Sequence, residues 1–316
     1  MWSNAMTNRV LDLSESPARL RAENSLLCVE IPGAGRRTFP FPTLAAVVCS
    51  HPQVTFTEAV LAELAAAKAI FVVCDRKHMP AAMLLPLAPH STQTEKFRVQ
   101  AEAPLPLKKR LWKEIVQAKI RAQAALIASL YGRDASLERL ARSLSVSSAM
   151  AAESQASRLY WQRLFSDASY RRSNEDDPRN GLLNYGYAIV RAACARALCS
   201  AGLHPALPLQ HHNRYDPFPL ANDLMEPFRP LVDRWTVQWA RQKKDGLTRE
   251  AKQSLLAYLT ARFSDGTESR TLFDWTQILA DRLARCLERS LERLNIPLLE
   301  PSCDDTPERR DPEDPE

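Results

Sequence analysis

The sequence predicts an α+β protein in which a small β-rich region comes before a larger all-α region. Between residues 7 and 88, apolar residues form short or alternating runs separated by turn-forming residues, as strands do. After Pro89 the apolar residues recur with a helical period as far as residue 298. The 316 residues also exceed the usual length of one domain, so two domains with separate cores are expected.

The β-rich region is predicted to span residues 7–88. Strands are expected where apolar and β-branched residues cluster, most clearly at residues 26–31, 45–49 and 69–74. One amphipathic helix, at about residues 57–67, interrupts the strands. This order of elements predicts a small β domain with an embedded helix.

The helical region is predicted to span residues 107–298, after a linker with one short helix at residues 89–106. Pro104 and Pro106 interrupt the helical pattern in that linker, and Gly202 is well placed to end a later helix. The predicted long helices cover residues 107–130, 136–143, 147–166, 179–201, 221–242, 248–263 and 270–295.

Residues 299–316 are predicted to be an acidic, disordered tail. From Pro301 onward the chain holds seven acids and two arginines, and many prolines. The remainder contains 40 basic and 30 acidic residues, so it carries a net charge of about +10. Such a balance favours a polyanionic partner such as DNA.

The cysteines and the hydropathy pattern indicate a cytoplasmic protein. None of the seven cysteines forms a C-x-x-C pair, which is typical of reduced thiols. No apolar run is long enough to span a bilayer, and the first residues lack the pattern of a signal peptide. A soluble, unexported chain without a membrane partner is therefore expected.

Glu153 is the first candidate site residue. It lies on a predicted helix, where Ser157 and Tyr160 share its face, and a carboxylate on a packing face needs a partner. The alternative is a surface residue that pairs with Arg158 or Arg163.

A second group of candidates consists of His211, His212, Asp223 and Glu226. The two histidines occupy a predicted loop, so either imidazole can turn inward, while i, i+3 spacing points both carboxylates to one side of a helix. Carboxylates suit Mg²⁺ or Mn²⁺, and an imidazole favours Mn²⁺. The alternatives are hydrogen-bonded loop histidines and an acidic helix start that complements the helix dipole.

Basic residues suggest that such a metal would serve phosphodiester chemistry. Residues 108–110, Lys113, Lys119 and Arg121 lie on one predicted helix and could contact phosphates, although a solvated face is the alternative. No Walker loop or G-x-S-x-G motif competes. Three functions remain: a metal-dependent DNA enzyme, a non-catalytic DNA-binding scaffold, and a phosphatase of small molecules.

Several motifs, in a fixed order, resemble the CRISPR-associated integrase family of spacer acquisition, in the form found in type II systems. The resemblance covers nearly the whole chain. The motifs are Phe71-Val-Val-Cys-Asp75-Arg-Lys-His78-Met-Pro80, Pro106-Leu-Lys-Lys-Arg-Leu-Trp112, Glu153-x-x-x-x-Arg158-x-Tyr160-Trp161, Leu183-Asn-Tyr-Gly-Tyr-Ala188, Gly202-Leu-His-Pro205, His211-His212 and Leu220-Ala-x-Asp223-Leu-Met-Glu226-Pro-Phe-Arg229-Pro230.

The resemblance implies roles for particular residues. Glu153, one histidine of the pair and Glu226 would be the catalytic metal ligands, with Asp223 as a further acid at the metal. Pro208 stands where relatives often have the glycine of a Gly-x-x-His motif, which favours His211 and leaves His212 open. Groups that surround the ligands or hold phosphate are then expected at Arg158, Asn184, Tyr185 and Arg229.

The resemblance also implies the activity and the assembly. The protein is expected to be a metal-dependent DNA endonuclease and integrase that uses Mg²⁺ or Mn²⁺. It would insert short foreign DNA into a CRISPR repeat array by attack of a DNA 3′-hydroxyl on a phosphodiester, as part of antiviral defence. A β-sandwich-like N-terminal domain would form a homodimer, and a small companion subunit would join two dimers into a heterohexamer. Double-stranded DNA and the type II effector nuclease are further expected partners; the alternative is a non-catalytic helical scaffold of the same complex.

Overall fold

The computed structural model describes residues 9–76, 80–86, 90–174, 176–211, 213–242 and 246–302. It confirms the predicted α+β class, because a β-rich part is followed by a mostly helical part. The strands of the first part are β1 (Arg9–Leu13), β2 (Arg19–Glu23), β3 (Leu26–Ile31), β4 (Gly35–Pro40), β5 (Leu44–Cys49), β6 (Thr55–Phe56), β7 (Ile70–Cys74) and β8 (Pro80–Leu84), with helix α1 (Glu58–Ala66) before β7.

These strands form two four-stranded sheets. One has the order β1-β5-β7-β8, with β1, β5 and β7 parallel and β8 antiparallel. The other has the order β4-β3-β2-β6. Leu20 and Leu27 from the second sheet share a buried cluster with Val47 of the first, so the two sheets pack face to face.

The first sheet is buried on both faces. Along β5, Val47 and Cys49 contribute to the core between the sheets, whereas Ala46 and Val48 contribute to the core of the helical part. This alternation follows from the two-residue period of a strand. The two parts of the chain therefore meet at this sheet, which has a buried cluster on each of its faces.

The helical part contains α2 to α10. A short 3-10 helix, Glu226–Phe228, lies between α7 and α8. The α-helices are α2 (Gln93–Ala101), α3 (Leu105–Tyr131), α4 (Leu137–Arg142), α5 (Ala149–Leu164), α6 (Pro178–Ser200), α7 (Pro219–Met225), α8 (Arg229–Arg241), α9 (Arg249–Thr260) and α10 (Leu272–Leu287).

The predicted single helix at residues 221–242 is in fact three segments. Pro227 lies at the start of the 3-10 helix and Pro230 at the start of α8. Proline has no backbone N–H and is tolerated at these first positions of a helix, but not in a helix interior. The two prolines therefore end α7 at Met225 and place Glu226 in a tight turn.

Close packing holds α6 against α8. A Cβ atom added at Gly186 would lie 2.4 Å from Cγ1 of Val232, so only glycine allows this approach. The next residue, Tyr187, is thereby placed beside α8.

The C-terminal part departs from the expected all-helical pattern in one place. A small sheet of β9 (Arg262–Ser264), β10 (Ser269–Thr271) and β11 (Glu300–Pro301) follows α9. The prediction of a disordered tail from residue 299 is wrong for its first residues, because Leu299 is buried and β11 pairs with β9. The rest of that predicted tail, residues 303–316, lies outside the described residues. Within the described part of the chain, no helix is long and apolar enough to cross a membrane.

Candidate functional site

Three elements bring a lysine and two glutamates together. Lys119 lies on α3, Glu153 on α5, and Glu226 begins the 3-10 helix. The Lys119 Nζ atom lies 2.8 Å from Glu153 Oε1 and 2.5 Å from Glu226 Oε2. The structure therefore brings the two predicted acidic ligands to the same ammonium group. The alternative, that Glu153 pairs with Arg158 or Arg163, does not match this contact.

Glu226 is a buried carboxylate, with only 3% of its surface exposed. Its Oε1 atom accepts a hydrogen bond of 2.7 Å from Arg229. Its Oε2 atom accepts no hydrogen bond of good geometry from the residues that the structure describes, although the Lys119 ammonium is close. Burial alone would raise the pKa of Glu226, but Arg229 and Lys119 outweigh it and lower the pKa to about 2.

Lys119 is also buried, with 7% of its surface exposed. Burial would lower the pKa of its ammonium, yet the carboxylates of Glu226 and Glu153 raise it above the ordinary value. The two acids therefore keep this buried lysine charged.

His211 is held at the edge of the same site. Its Nδ1 lies 2.5 Å from Asp223 Oδ1, and its ring meets Trp112 edge to face at 5.2 Å. The hydrogen bond to Asp223 raises the pKa of His211 against the effect of burial, and the charges of Glu226 and Glu153 raise it further. With Nδ1 bound to Asp223, the Nε2 atom is the one left to bind an ion. His212, the other histidine of the pair, lies outside the described residues.

Asp223 has a different position from the one expected of a metal ligand. Its side chain is fully buried. Oδ1 accepts from the ring and the backbone N–H of His211, and Oδ2 accepts from the backbone N–H groups of Leu209 and Gln210. All the lone-pair directions of this carboxylate are thus used, so its position suits a residue that orients His211 and not a ligand.

A cavity of about 460 Å³ opens beside Glu226 and His211. Three arginines line it, Arg172, Arg191 and Arg229, together with Asn184. Such a concentration of guanidinium groups suits a phosphate, which arginine can bind through two hydrogen bonds. Two of the predicted phosphate-holding residues, Asn184 and Arg229, are therefore at the cavity.

Arg172 is fixed by its neighbours. Its guanidinium lies 5.7 Å from the Trp161 ring centre and 5.6 Å from that of Tyr187, and its NH2 group donates to Asn184 at 2.6 Å. Arg172 was not among the predicted site residues. Its stacking partners come from α5 and α6, and no local sequence pattern indicates that they meet.

Two predicted site residues lie elsewhere. Tyr185 is fully buried, and the ammonium of Lys252 lies 5.6 Å from its ring centre, at the boundary with the first sheet. Arg158 is exposed on α5 and is not part of the cavity wall. The expectation that these two residues hold phosphate does not agree with their positions. The neighbouring Tyr187 lines the cavity instead.

The donor set fits a divalent cation in its chemistry. Two carboxylates and an imidazole are suitable ligands for Mn²⁺ or Mg²⁺, and the buried Oε2 atom of Glu226 lacks a well-formed hydrogen bond. Among the described residues, no three His, Cys, Asp or Glu side chains are already arranged to hold an ion. The Lys119 ammonium contacts both Glu153 and Glu226.

The fold of this chain is shared with solved structures of other proteins. Its structure is similar to that of a casposase bound to integration product, with a TM-score of 0.74 and 16% sequence identity over 91% of this chain and 93% of that chain. It is also similar to a chain of a Cas6-RT-Cas1–Cas2 complex, with a TM-score of 0.71 and 20% identity over 91% of this chain and 36% of that one. At these identities, the likeness shows the fold.

Sequence comparison gives the family. Residues 11–260 match the model of the CRISPR associated protein Cas1 family. The chain is 32% identical to a CRISPR-associated endonuclease Cas1 of Neisseria meningitidis over 302 residues, which cover 94% of this chain and 98% of that protein. The chain therefore belongs to the Cas1 family.

Proposed function

We propose that this protein is a metal-dependent DNA endonuclease and integrase that inserts short foreign DNA into a CRISPR repeat array. The observation that carries the proposal is that Glu153 and Glu226 share one ammonium group, while Glu226 and His211 lie in the wall of a cavity lined by arginines. The family supports it, since the Neisseria relative is named an endonuclease and a casposase with integration product shares the fold.

Each residue of the site has a distinct task. Glu153, Glu226 and the Nε2 atom of His211 would hold Mg²⁺ or Mn²⁺, while Asp223 fixes the ring of His211 through Nδ1. A divalent cation held there polarises a phosphodiester and activates the attacking oxygen. Arg172 and Arg229 would bind the phosphate and stabilise its extra negative charge as the DNA 3′-hydroxyl attacks. The DNA supplies the nucleophile, so the protein has to position it and needs no nucleophile of its own.

The assembly is proposed by analogy with relatives. The Cas6-RT-Cas1–Cas2 complex contains a chain of this fold together with a second Cas protein. We infer a homodimer in the cytoplasm that binds double-stranded DNA, joins a small companion subunit in a heterohexamer, and works with the type II effector nuclease.

Strand transfer with and without the two glutamates tests this function. The purified chain, with its companion subunit and Mn²⁺, should join a short duplex to a repeat-containing target. Glu153→Ala and Glu226→Ala should each lower that activity by at least about 10²-fold, because each removes a metal-binding carboxylate. DNA binding should persist in both variants.

Glu138→Ala is the matched control, since it removes a carboxylate from α4, where Glu138 pairs with Arg142. Wild-type protein that binds DNA but shows no turnover, like the variants, would identify a non-catalytic scaffold. Hydrolysis of small phosphate monoesters without need of DNA would instead identify a phosphatase.

A further inference from the structure

The position of Lys119 was not expected from the sequence, which marks it only as one of several basic residues on a helix that could contact DNA. In the structure its ammonium is buried and points away from solvent to Glu153 and Glu226. A buried ammonium is costly unless it is paired, so its location has to be explained by these two acids.

Lys119 contacts the oxygens that an ion would use. Arg229 already binds Oε1 of Glu226, which leaves Oε2 of Glu226 and the carboxylate of Glu153 for a ligand. The ammonium lies 2.5 Å from Oε2 of Glu226 and 2.8 Å from Oε1 of Glu153. A divalent cation between Glu153 and Glu226 would need the space that this ammonium takes, and the two positive charges would repel each other.

We propose that Lys119 is an internal counter-ion that competes with the divalent cation for Glu153 and Glu226 and thereby sets the metal affinity of the site. The inference rests on the proposed metal site. Lysine suits this role better than arginine. Its ammonium is a point charge on a flexible chain, whereas a guanidinium forms bidentate hydrogen bonds with a carboxylate.

The competition has a consequence for DNA binding. A phosphate in the arginine-lined cavity brings negative charge next to the site, so it can accept the ammonium that the metal displaces. Metal and DNA then strengthen each other's binding, since such coupling is reciprocal. Without DNA, Lys119 neutralises the two carboxylates and keeps the affinity for metal low.

Manganese binding to the full chain without DNA tests the proposal. Titration followed by the electron paramagnetic resonance signal of free Mn²⁺ gives the dissociation constant of each variant. Lys119→Met should lower this constant about tenfold relative to wild type, because the competing positive charge is removed; the size is that of changes beside other metal sites. Lys113→Met, which removes a positive charge six residues earlier on α3, should bind like wild type.

A second variant protects the test against misfolding. Lys119→Met leaves the buried carboxylate of Glu226 and the half-buried one of Glu153 without their shared ammonium, whereas Lys119→Gln keeps a neutral hydrogen-bond donor there. Lys119→Gln should also bind Mn²⁺ more tightly than wild type. Without metal, Lys119→Met should have a lower melting temperature than wild type. Saturating Mn²⁺ should raise the melting temperature of Lys119→Met by more than it raises that of wild type.

The possible failures can be told apart. If neither lysine variant binds Mn²⁺ more tightly than Lys113→Met, while Glu226→Ala abolishes binding, the competition is wrong and the metal site stands. If Mn²⁺ binds to none of these proteins, or binds equally to Glu226→Ala, both the metal site and the role of Lys119 are overturned.

Discussion

Two buried carboxylates, those of Glu226 and Asp233, lie seven residues apart and have opposite pKa shifts. Burial raises the pKa of both. For Glu226 the charges of Arg229 and Lys119 reverse this effect and lower the pKa to about 2. For Asp233, burial prevails and the pKa rises to about 6. The partners of each carboxylate, and not its depth, therefore decide its charge state.

The two carboxylates also differ in how fully their oxygens are hydrogen-bonded. Asp233 accepts hydrogen bonds from the hydroxyls of Tyr160, at 2.5 Å, and Tyr187, so both of its oxygens are used. These bonds tie α5, α6 and α8 together. Glu226 is held by the charges of Lys119 and Arg229, has an oxygen without a well-formed hydrogen bond from the described residues, and borders the cavity. We conclude that Asp233 stabilises the fold, whereas Glu226 is arranged for binding.

Replacement of Asp233 gives the largest expected change in stability. Asp233→Leu should lower the free energy of unfolding by about 3 kcal/mol, because it leaves the two tyrosine hydroxyls buried without an acceptor. Urea unfolding monitored by circular dichroism measures this loss. Mn²⁺ should still raise the melting temperature of the variant as much as that of wild type. A variant as stable as wild type would show that Asp233 does not stabilise the fold.

The pH dependence of stability should separate the two acids by sign. Since the pKa of Glu226 is about 2 in the folded protein and ordinarily 4.5, its stabilising contribution is present above pH 4.5 and declines below it. Wild type should lose about 2 kcal/mol more than Glu226→Gln between pH 5 and pH 3. Since the pKa of Asp233 is raised from 3.8 to about 6, wild type should gain about 1 kcal/mol relative to Asp233→Asn between pH 7 and pH 5.

Urea unfolding at several pH values measures both differences. Each variant serves as the control for the other, because each retains the second carboxylate. Parallel stability curves for wild type and both variants would show that the two carboxylates have the same pKa in the folded and unfolded chain. In that case, their contrast in the structure would have no energetic meaning.

Local patterns in the sequence predicted much of this arrangement. The i, i+3 spacing of Asp223 and Glu226 predicted that both carboxylates point to one side, and both are buried in the structure. Helical periodicity predicted the helix that carries Glu153. The strand-like runs gave β3, β5 and β7. These features depend on neighbours within a few residues, so a single sequence contains them.

Other features depend on contacts between distant parts of the chain. Lys119 meets Glu226 from a position 107 residues earlier. Its place on the apolar face of α3, with Ile115 and Val116, indicates burial but not which acids it pairs with. Tyr185 and Tyr187 occur in one motif, and only the packing of α6 shows that Tyr187 faces the cavity and Tyr185 the first sheet. The prediction of one helix at residues 221–242 is wrong because Pro227 and Pro230 each lie at the start of a new helical segment.

Diffraction from crystals of the protein soaked in Mn²⁺ tests the central claim most directly. The anomalous signal of manganese locates the ion without reference to the expected ligands. The account predicts one peak among Glu153, Glu226 and His211, with the Lys119 ammonium moved away from both carboxylates. A peak elsewhere, or Lys119 still bridging the two glutamates in saturating Mn²⁺, would contradict it.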